Sequence, residues 1–308
     1  MAERLTVPAV RDRKARRGAE PLVMVTAYDA PGARILADGG VDLILVGDSV
    51  AMVVLGYDDT LQVTVADMVH HVAAAARGLA RPAPAGPSPA PLLVADMPWL
   101  SYHLSSWDAV GNAAALVRAG AQAVKLEGGR KRVGVIEALV DAEIPVMGHI
   151  GLTPQSLHAM GGFKVQGRRA EAARVLVDDA KALAEAGCFS IVLEGVPDVV
   201  AEMVTASVPV PTIGIGAGPH CDGQVLVFHD LLGLEDRAPA RFVRRYADLR
   251  PAAVAAVATY ATDVRARRFP TSIESYHLSD REAQLLGLYG SSTDPGGSGE
   301  TNADPPHS

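Results

Sequence analysis

Four carboxylates stand at the ends of four short apolar runs. Asp48 closes VDLILVGDS (41–49), Asp96 closes PLLVADMP (91–98), Glu127 closes AVKLEGG (123–129) and Glu194 closes SIVLEGV (190–196), with Lys125 two residues before Glu127. Each run is rich in Val, Ile and Leu and stops at Gly, Pro or Ser, the pattern of a buried parallel strand with the acid coming last. If such strands lie side by side, the acids converge on one rim of the sheet. An all-oxygen donor set suits a hard cation such as Mg²⁺, bound at about 2.0–2.1 Å with positions left for water or substrate. A 2-oxo acid, with two adjacent oxygens, would chelate that ion, and Lys125 would neutralise its carboxylate. That combination favours enolisation. No Cys or His cluster stands at the strand ends, which argues against zinc.

Each acid also has a plainer reading. Asp48 with Ser49 could cap the next turn, since both side chains accept backbone N–H bonds, and Asp96 before Met97 and Pro98 could form a turn. Glu127 precedes Gly128 and Gly129 and is a poor turn former; Glu194 follows SIVL directly and has no evident capping role. Four acids at four strand ends are harder to explain as caps than any one of them. His149, in VMGHIGLTPQ, closes the fifth run and either hydrogen-bonds a substrate or satisfies a backbone carbonyl. His70 and His71 read as partly solvated helix residues. His220, Cys221 and Asp222 crowd one short loop without tetrahedral spacing. GIGAG (214–218) lacks the full GxGxxG pattern and its ribose-binding acid, so it reads as a tight turn.

Eight strand-like runs are expected at 22–27, 41–47, 92–96, 122–127, 145–150, 189–194, 211–216 and 224–229. Helix-like stretches fall between most of them, at 31–39, 64–79, 107–119, 131–142, 170–186 and 199–206. Strands alternating with amphipathic helices predict parallel pairing through crossovers, and eight of them predict a closed (β/α)8 TIM-type barrel, with an open doubly wound sheet as the alternative. In a barrel the strand C-termini carry the active site, where these acids stand. The link GAGPHCDG between runs seven and eight is too short for a normal helix. RPAPAGPSPAP (81–91) predicts a surface loop. The expected organisation is one catalytic domain over 1–280, opening with an N-terminal helix, and a tail over 281–308 that is Gly-, Ser- and Pro-rich from about 289 and disordered.

The net charge of −7 and the confinement of Arg11, Arg13, Lys14, Arg16 and Arg17 to one end, without aromatics between them, argue against a nucleic-acid partner. The basic segment reads as a solvated helix. Two cysteines, Cys188 and Cys221, build no disulfide framework and fit a reduced, cytoplasmic protein. No run approaches the roughly 18 apolar residues of a membrane span, and no secretory leader is evident.

TAYD (26–29), LVGDS (45–49) with MVVLGYDDT (52–60), VADMP (94–98), NAAALVRAGAQAVKLEGG (112–129), MGHIGLTPQS (147–156), GGFKVQGR (161–168), VLEGVP (192–197) and PTIGIGAGPHCDGQVLVFHDLLG (211–233) resemble the ketopantoate hydroxymethyltransferase family, in order, from about residue 20 to 280. The resemblance implies a barrel of the phosphoenolpyruvate/pyruvate superfamily and the first committed step of pantothenate, hence coenzyme A, synthesis. The reaction implied converts 3-methyl-2-oxobutanoate, 5,10-methylenetetrahydrofolate and water to 2-dehydropantoate and tetrahydrofolate through a Mg-stabilised enolate. It further implies that Asp48, Asp96 and Glu127 form the Mg²⁺ site, that Asp48, Ser49, Asp96 and Lys125 contact the oxo acid, and that Glu194 is the general base. A homodecamer of two pentameric rings is implied as well, and Mn²⁺ or Co²⁺ would also suit an oxygen site. The motifs do not locate the folate. Two other readings are a lyase of the same superfamily, which would need a reactive Cys after strand four or five where none stands, and a catalytically dead scaffold, which the intact set of acids disfavours.

Overall fold

The computed structural model describes residues 4–16, 18–80 and 89–287. Eight parallel strands, β1 (Leu22–Thr26), β2 (Leu43–Val46), β3 (Leu92–Asp96), β4 (Ala123–Glu127), β5 (Val146–Gly151), β6 (Ser190–Glu194), β7 (Thr212–Ile215) and β8 (Gly223–Leu226), pair in sequence order, and β8 closes the barrel on β1. The helices, in chain order, are α1 (Val7–Ala15), α2 (Ala30–Asp38), α3 (Val50–Val53), α4 (Val65–Ala80), α5 (Ser106–Arg118), α6 (Val133–Asp141), α7 (Leu157–Met160), α8 (Ala170–Glu185), α9 (Asp198–Ser207), α10 (Phe228–Leu232), α11 (Leu249–Arg265) and α12 (Asp280–Leu285). One compact unit runs to Arg250 and a second begins at Pro251, near the start of α11. The expected 81–91 loop lies mostly, and the disordered stretch from about 289 entirely, outside the described residues.

Side chains alternate between two apolar clusters along each strand, as the two-residue period of a strand requires. Val25, Ile44, Val46, Leu93, Ala95, Val124 and Leu126 pack outward against the helices. Leu22, Met24, Leu43, Leu45, Leu92, Val94, Ala123, Met147 and Val192 fill the barrel itself. Continuing the inward parity along each chain reaches Asp96 after Leu92 and Val94, Lys125 and Glu127 after Ala123, His149 after Met147, and Glu194 after Val192. These five side chains therefore face the lumen because a residue two or four places earlier belongs to its core.

The basic N-terminal segment is not simply a solvated helix. Val10 is fully buried, and Leu5 and Val10 join the barrel's inner cluster, while Lys14 pairs with Asp222 at 2.7 Å and Arg13 with Asp42 at 3.4 Å. The sequence pattern missed this because α1 shows no sustained apolar stripe, only single residues that plug a round opening. Between β7 and β8 the crossover helix is absent, as the short link required, and left-handed Gly216 and Gly218 bend the chain back. Asp222 holds that bend by accepting the Thr212 N–H at 2.9 Å. The eighth run ends earlier than expected: α10 begins at Phe228, inside the span 224–229 read as strand. α2 and α4 approach so closely at Gly78 that a Cβ there would meet the Ala30 carbonyl oxygen.

Candidate active site

β3 and β4 align Asp96 with Lys125, β4 and β5 align Glu127 with His149, and β5 and β6 align Gly151 with Glu194. Lys125 Nζ lies 2.7 Å from Asp96 Oδ1 and 3.2 Å from His149 Nδ1. His149 Nδ1 is 3.4 Å from Glu127 Oε1, and its Nε2 is 3.3 Å from Glu194 Oε2, without the alignment of a full hydrogen bond. Asp48 comes from the turn after β2; its backbone N–H donates to Asp96 Oδ2 at 3.0 Å, which ties the two acids together. Ser49 Oγ meets the Tyr28 hydroxyl at 2.8 Å. Six of the seven residues named from the sequence are thus connected at the C-terminal rim, and Ser49, next to Asp48 in the chain, bonds Tyr28 instead.

Asp48, Asp96, Lys125, Glu127 and His149 are each 5% exposed or less. Burial, then the charges of Asp96 and Glu127, hold the Asp48 carboxyl well above its ordinary range. Asp96 is raised too, by burial, although Lys125 pulls it back. Burial opposes the charge on Lys125, but Asp96, Glu127 and Asp48 outweigh it and raise the ammonium's pKa. Burial and Lys125 likewise oppose a proton on His149, but interactions with Glu127 and Glu194 carry it up to about 9.

Sequence reasoning missed two residues that organise this group. Gln155, 5% exposed, donates from its backbone N–H to Glu127 Oε2 at 3.0 Å. Its Nε2 donates to Asp48 Oδ2 at 2.9 Å and Met97 O at 3.0 Å, and its Oε1 accepts from the Tyr102 hydroxyl at 2.6 Å. Tyr102, fully buried, accepts the Glu127 N–H at 3.1 Å. The only sequence signal was position: Gln155 directly follows Thr-Pro after β5, a loop on the active rim. His71 is also more engaged than a solvated residue, with Nδ1 2.7 Å from Tyr28 O.

The site gathers Asp48, Asp96 and Glu127 around the Lys125 ammonium and the His149 ring, and burial first of all holds Asp48 and Asp96 above their ordinary range. The donors are oxygens, so Asp48, Asp96 and Glu127 suit a hard dication such as Mg²⁺. Among the described residues no three His, Cys, Asp or Glu side chains are gathered closely enough to hold a metal ion together.

A model of the family described as ketopantoate hydroxymethyltransferase matches residues 4–272. The chain belongs to this family. It is 58% identical over 259 residues to the 3-methyl-2-oxobutanoate hydroxymethyltransferase of Methylobacterium sp. (strain 4-46), covering 84% of this chain and 87% of that one. It is 50% identical to the enzyme of the same name from Syntrophobacter fumaroxidans, covering 93% and 98%. As a ketopantoate hydroxymethyltransferase family member the chain is a transferase. Among solved structures it is similar in fold to the phosphoenolpyruvate phosphomutase of Streptomyces platensis subsp. rosaceus, with TM-score 0.54, 18% identity, and 92% and 96% of the two chains covered. It is similar also to 2,3-dimethylmalate lyase, a PEP mutase/isocitrate lyase superfamily member, with TM-score 0.50, 16% identity, and 92% and 94% covered. Among the described residues no helix is long and apolar enough to cross a membrane.

Proposed function

We propose that this chain transfers a hydroxymethyl group from 5,10-methylenetetrahydrofolate to 3-methyl-2-oxobutanoate, and that the transfer begins by enolising the oxo acid in the barrel mouth. Family membership supports the reaction. The observation that carries the mechanism is the buried sequence Asp96, Lys125, His149, Glu194, in which each polar group lies within 3.3 Å of the next.

A ketone α-C–H lies roughly 15 pKa units above a glutamic acid, about 20 kcal/mol at 1.36 per unit. Glu194 therefore cannot take the C3 proton unless the oxyanion formed is stabilised as it forms. Asp48, Asp96 and Glu127 would hold Mg²⁺, which when bound supplies a positive charge for that oxyanion. Lys125 would pair with the substrate carboxylate, and Ser49 would orient it. Glu194, 16% exposed at its side chain and so the most accessible of the lumenal acids, receives the C3 proton. His149 sits between Glu127 and Glu194 and orients the base. The enolate C3 then attacks the one-carbon unit, and water supplies the hydroxyl oxygen. The reading also includes a cytoplasmic homodecamer. Val254, Val257, Tyr260 and Val264, at three- and four-residue spacing on α11, form an apolar stripe suited to self-association.

Proton NMR of 3-methyl-2-oxobutanoate in D₂O tests the mechanism. Loss of the C3 proton signal that requires Mg²⁺ and stops with EDTA, followed by 2-dehydropantoate when methylenetetrahydrofolate is added, is the expected result. Folded, metal-loaded protein that gives neither exchange nor product would overturn it.

A further inference from the structure

The strand ends that form the barrel mouth are not alike. From the turn after β2 round to β6 the rim carries Asp48, Asp96, Lys125, Glu127, His149 and Glu194. The remaining arc is apolar or already bonded. On β7, Ile213 is fully buried in the inner cluster, and Ile215, two places on, packs against that cluster but is only half-buried. On β8, Val225 belongs to the same cluster, and half-buried Val227 follows at the next lumenal position in extended backbone. On β1, Thr26 is buried and its Oγ1 accepts the Phe228 N–H at 3.0 Å.

Ile215 is held alongside Glu194. β6 and β7 align the two residues, and the Gly195 N–H donates to Ile215 O at 2.9 Å. Their side chains therefore leave adjacent strands at one level of the lumen, with the strands about 4.8 Å apart. A carbon that gives its proton to Glu194 must come within about 3–3.5 Å of that carboxylate, so the groups attached to that carbon reach the β7 wall. Ile215 offers no donor or acceptor there, and an alkyl group is what it fits.

We propose that Ile215 is a specificity-determining residue: it is the wall that receives the alkyl groups on C3 of the oxo acid and limits their size, so that a second methyl is accepted and a longer branch is refused. The division of the mouth matches the division of such a molecule, whose carboxylate and oxo oxygens belong with Lys125 and the acids and whose branched end belongs with Ile215 and Val227. The inference rests on the enolisation reading above, in which Glu194 takes the C3 proton. One methylene more or less against an apolar wall changes discrimination about 10–200-fold. Cutting Ile215 back to Ala removes three carbons, which leaves room for at least one more methylene on the substrate.

C3 exchange in D₂O with Mg²⁺, followed by proton NMR, is measured on 2-oxobutanoate, 3-methyl-2-oxobutanoate and 3-methyl-2-oxopentanoate, a series that grows by one carbon at C3. Wild type is expected to exchange 3-methyl-2-oxobutanoate faster than 3-methyl-2-oxopentanoate. Ile215→Ala should reduce that preference at least about tenfold. Ile215→Val, the mildest change, should shift it in the same direction, and Ile215→Phe should lose the two branched acids while keeping 2-oxobutanoate. A residue that only packs the barrel would slow all three acids together, so an unchanged preference in Ile215→Val and Ile215→Ala would overturn the inference. No exchange of any acid by folded, metal-loaded wild type would instead defeat the enolisation reading. Calorimetric affinities of the same acids, which need no proton transfer, would then decide the wall by the same shift in preference or its absence.

Discussion

Replacing Lys125 by Met tests the electrostatics on which the site depends. Lys125 is 4% exposed, lies 2.7 Å from Asp96, and among the described residues is the one ammonium in contact with the buried acids. Met matches its length and apolar stem but leaves Asp96 without its partner. Breaking a buried pair from one side costs about 3–5 kcal/mol, and for a domain of this size each kcal/mol moves the midpoint about 2–4 °C, so a fall of roughly 6–20 °C is expected at pH 8 in EDTA. The gap must depend on pH in a definite sense. Asp48 and Asp96 have raised folded-state values against an ordinary 3.8, so above that value the folded protein binds protons that the unfolded chain has released, and stability falls as pH rises through the window. Lys125 lowers both acids; without it the window extends further upward. Melting curves by circular dichroism from pH 5 to pH 8 in EDTA should therefore show the two proteins converging as pH falls. A variant as stable as wild type at pH 8, or a gap that widens toward pH 5, would refute the charge balance drawn for the site.

Glu194→Gln should slow C3 exchange by about 10²–10⁴-fold while oxo-acid binding, read by calorimetry, changes little; exchange at the normal rate would remove Glu194 from the base role. Gln155→Leu leaves Asp48 Oδ2, Met97 O and the Tyr102 hydroxyl without their partner; at about 1–3 kcal/mol for each buried group left unpaired, a urea-unfolding loss of at least about 3 kcal/mol is expected, with Mg²⁺ affinity reduced about 10–100-fold as for other lost outer-shell contacts. Gly151→Ala puts a Cβ at φ 96° into the Glu194 carbonyl oxygen and 2.9 Å from Val196 Cγ1, so thermal stability and C3 exchange should fall together. Gly134→Ala, in α6 with open space around the new Cβ, should instead gain about 0.5–1 kcal/mol.

The candidate residues were legible because strand periodicity and position along the chain are local properties. VDLILVGDS, LLVADMP, VKLEGG and IVLEGV each announce a buried strand and the acid at or just past its end, and β3 was expected over the same residues, 92–96, that form it. What failed locally failed for a physical reason. α1 reads as a charged surface helix because its buried residues fill a barrel end rather than a groove, and Lys14 and Arg13 find Asp222 and Asp42 far away in sequence. The 224–229 run reads as one strand because Phe228 is apolar in either setting; Thr26 Oγ1, which accepts the Phe228 N–H at 3.0 Å, helps to place the helix start.

Residue type and spacing within segments of five or six residues located the strands along the chain and the acids at or just past their ends, but left a closed barrel and an open doubly wound sheet both possible. Barrel closure is what pairs Lys125 with Asp96 on the neighbouring strand, sets His149 between Glu127 and Glu194, and lets Gln155 link Asp48 to Tyr102. Those partners stand up to 107 residues apart in the chain, and their proximity is set by barrel closure and strand register, which no local pattern of side chains encodes.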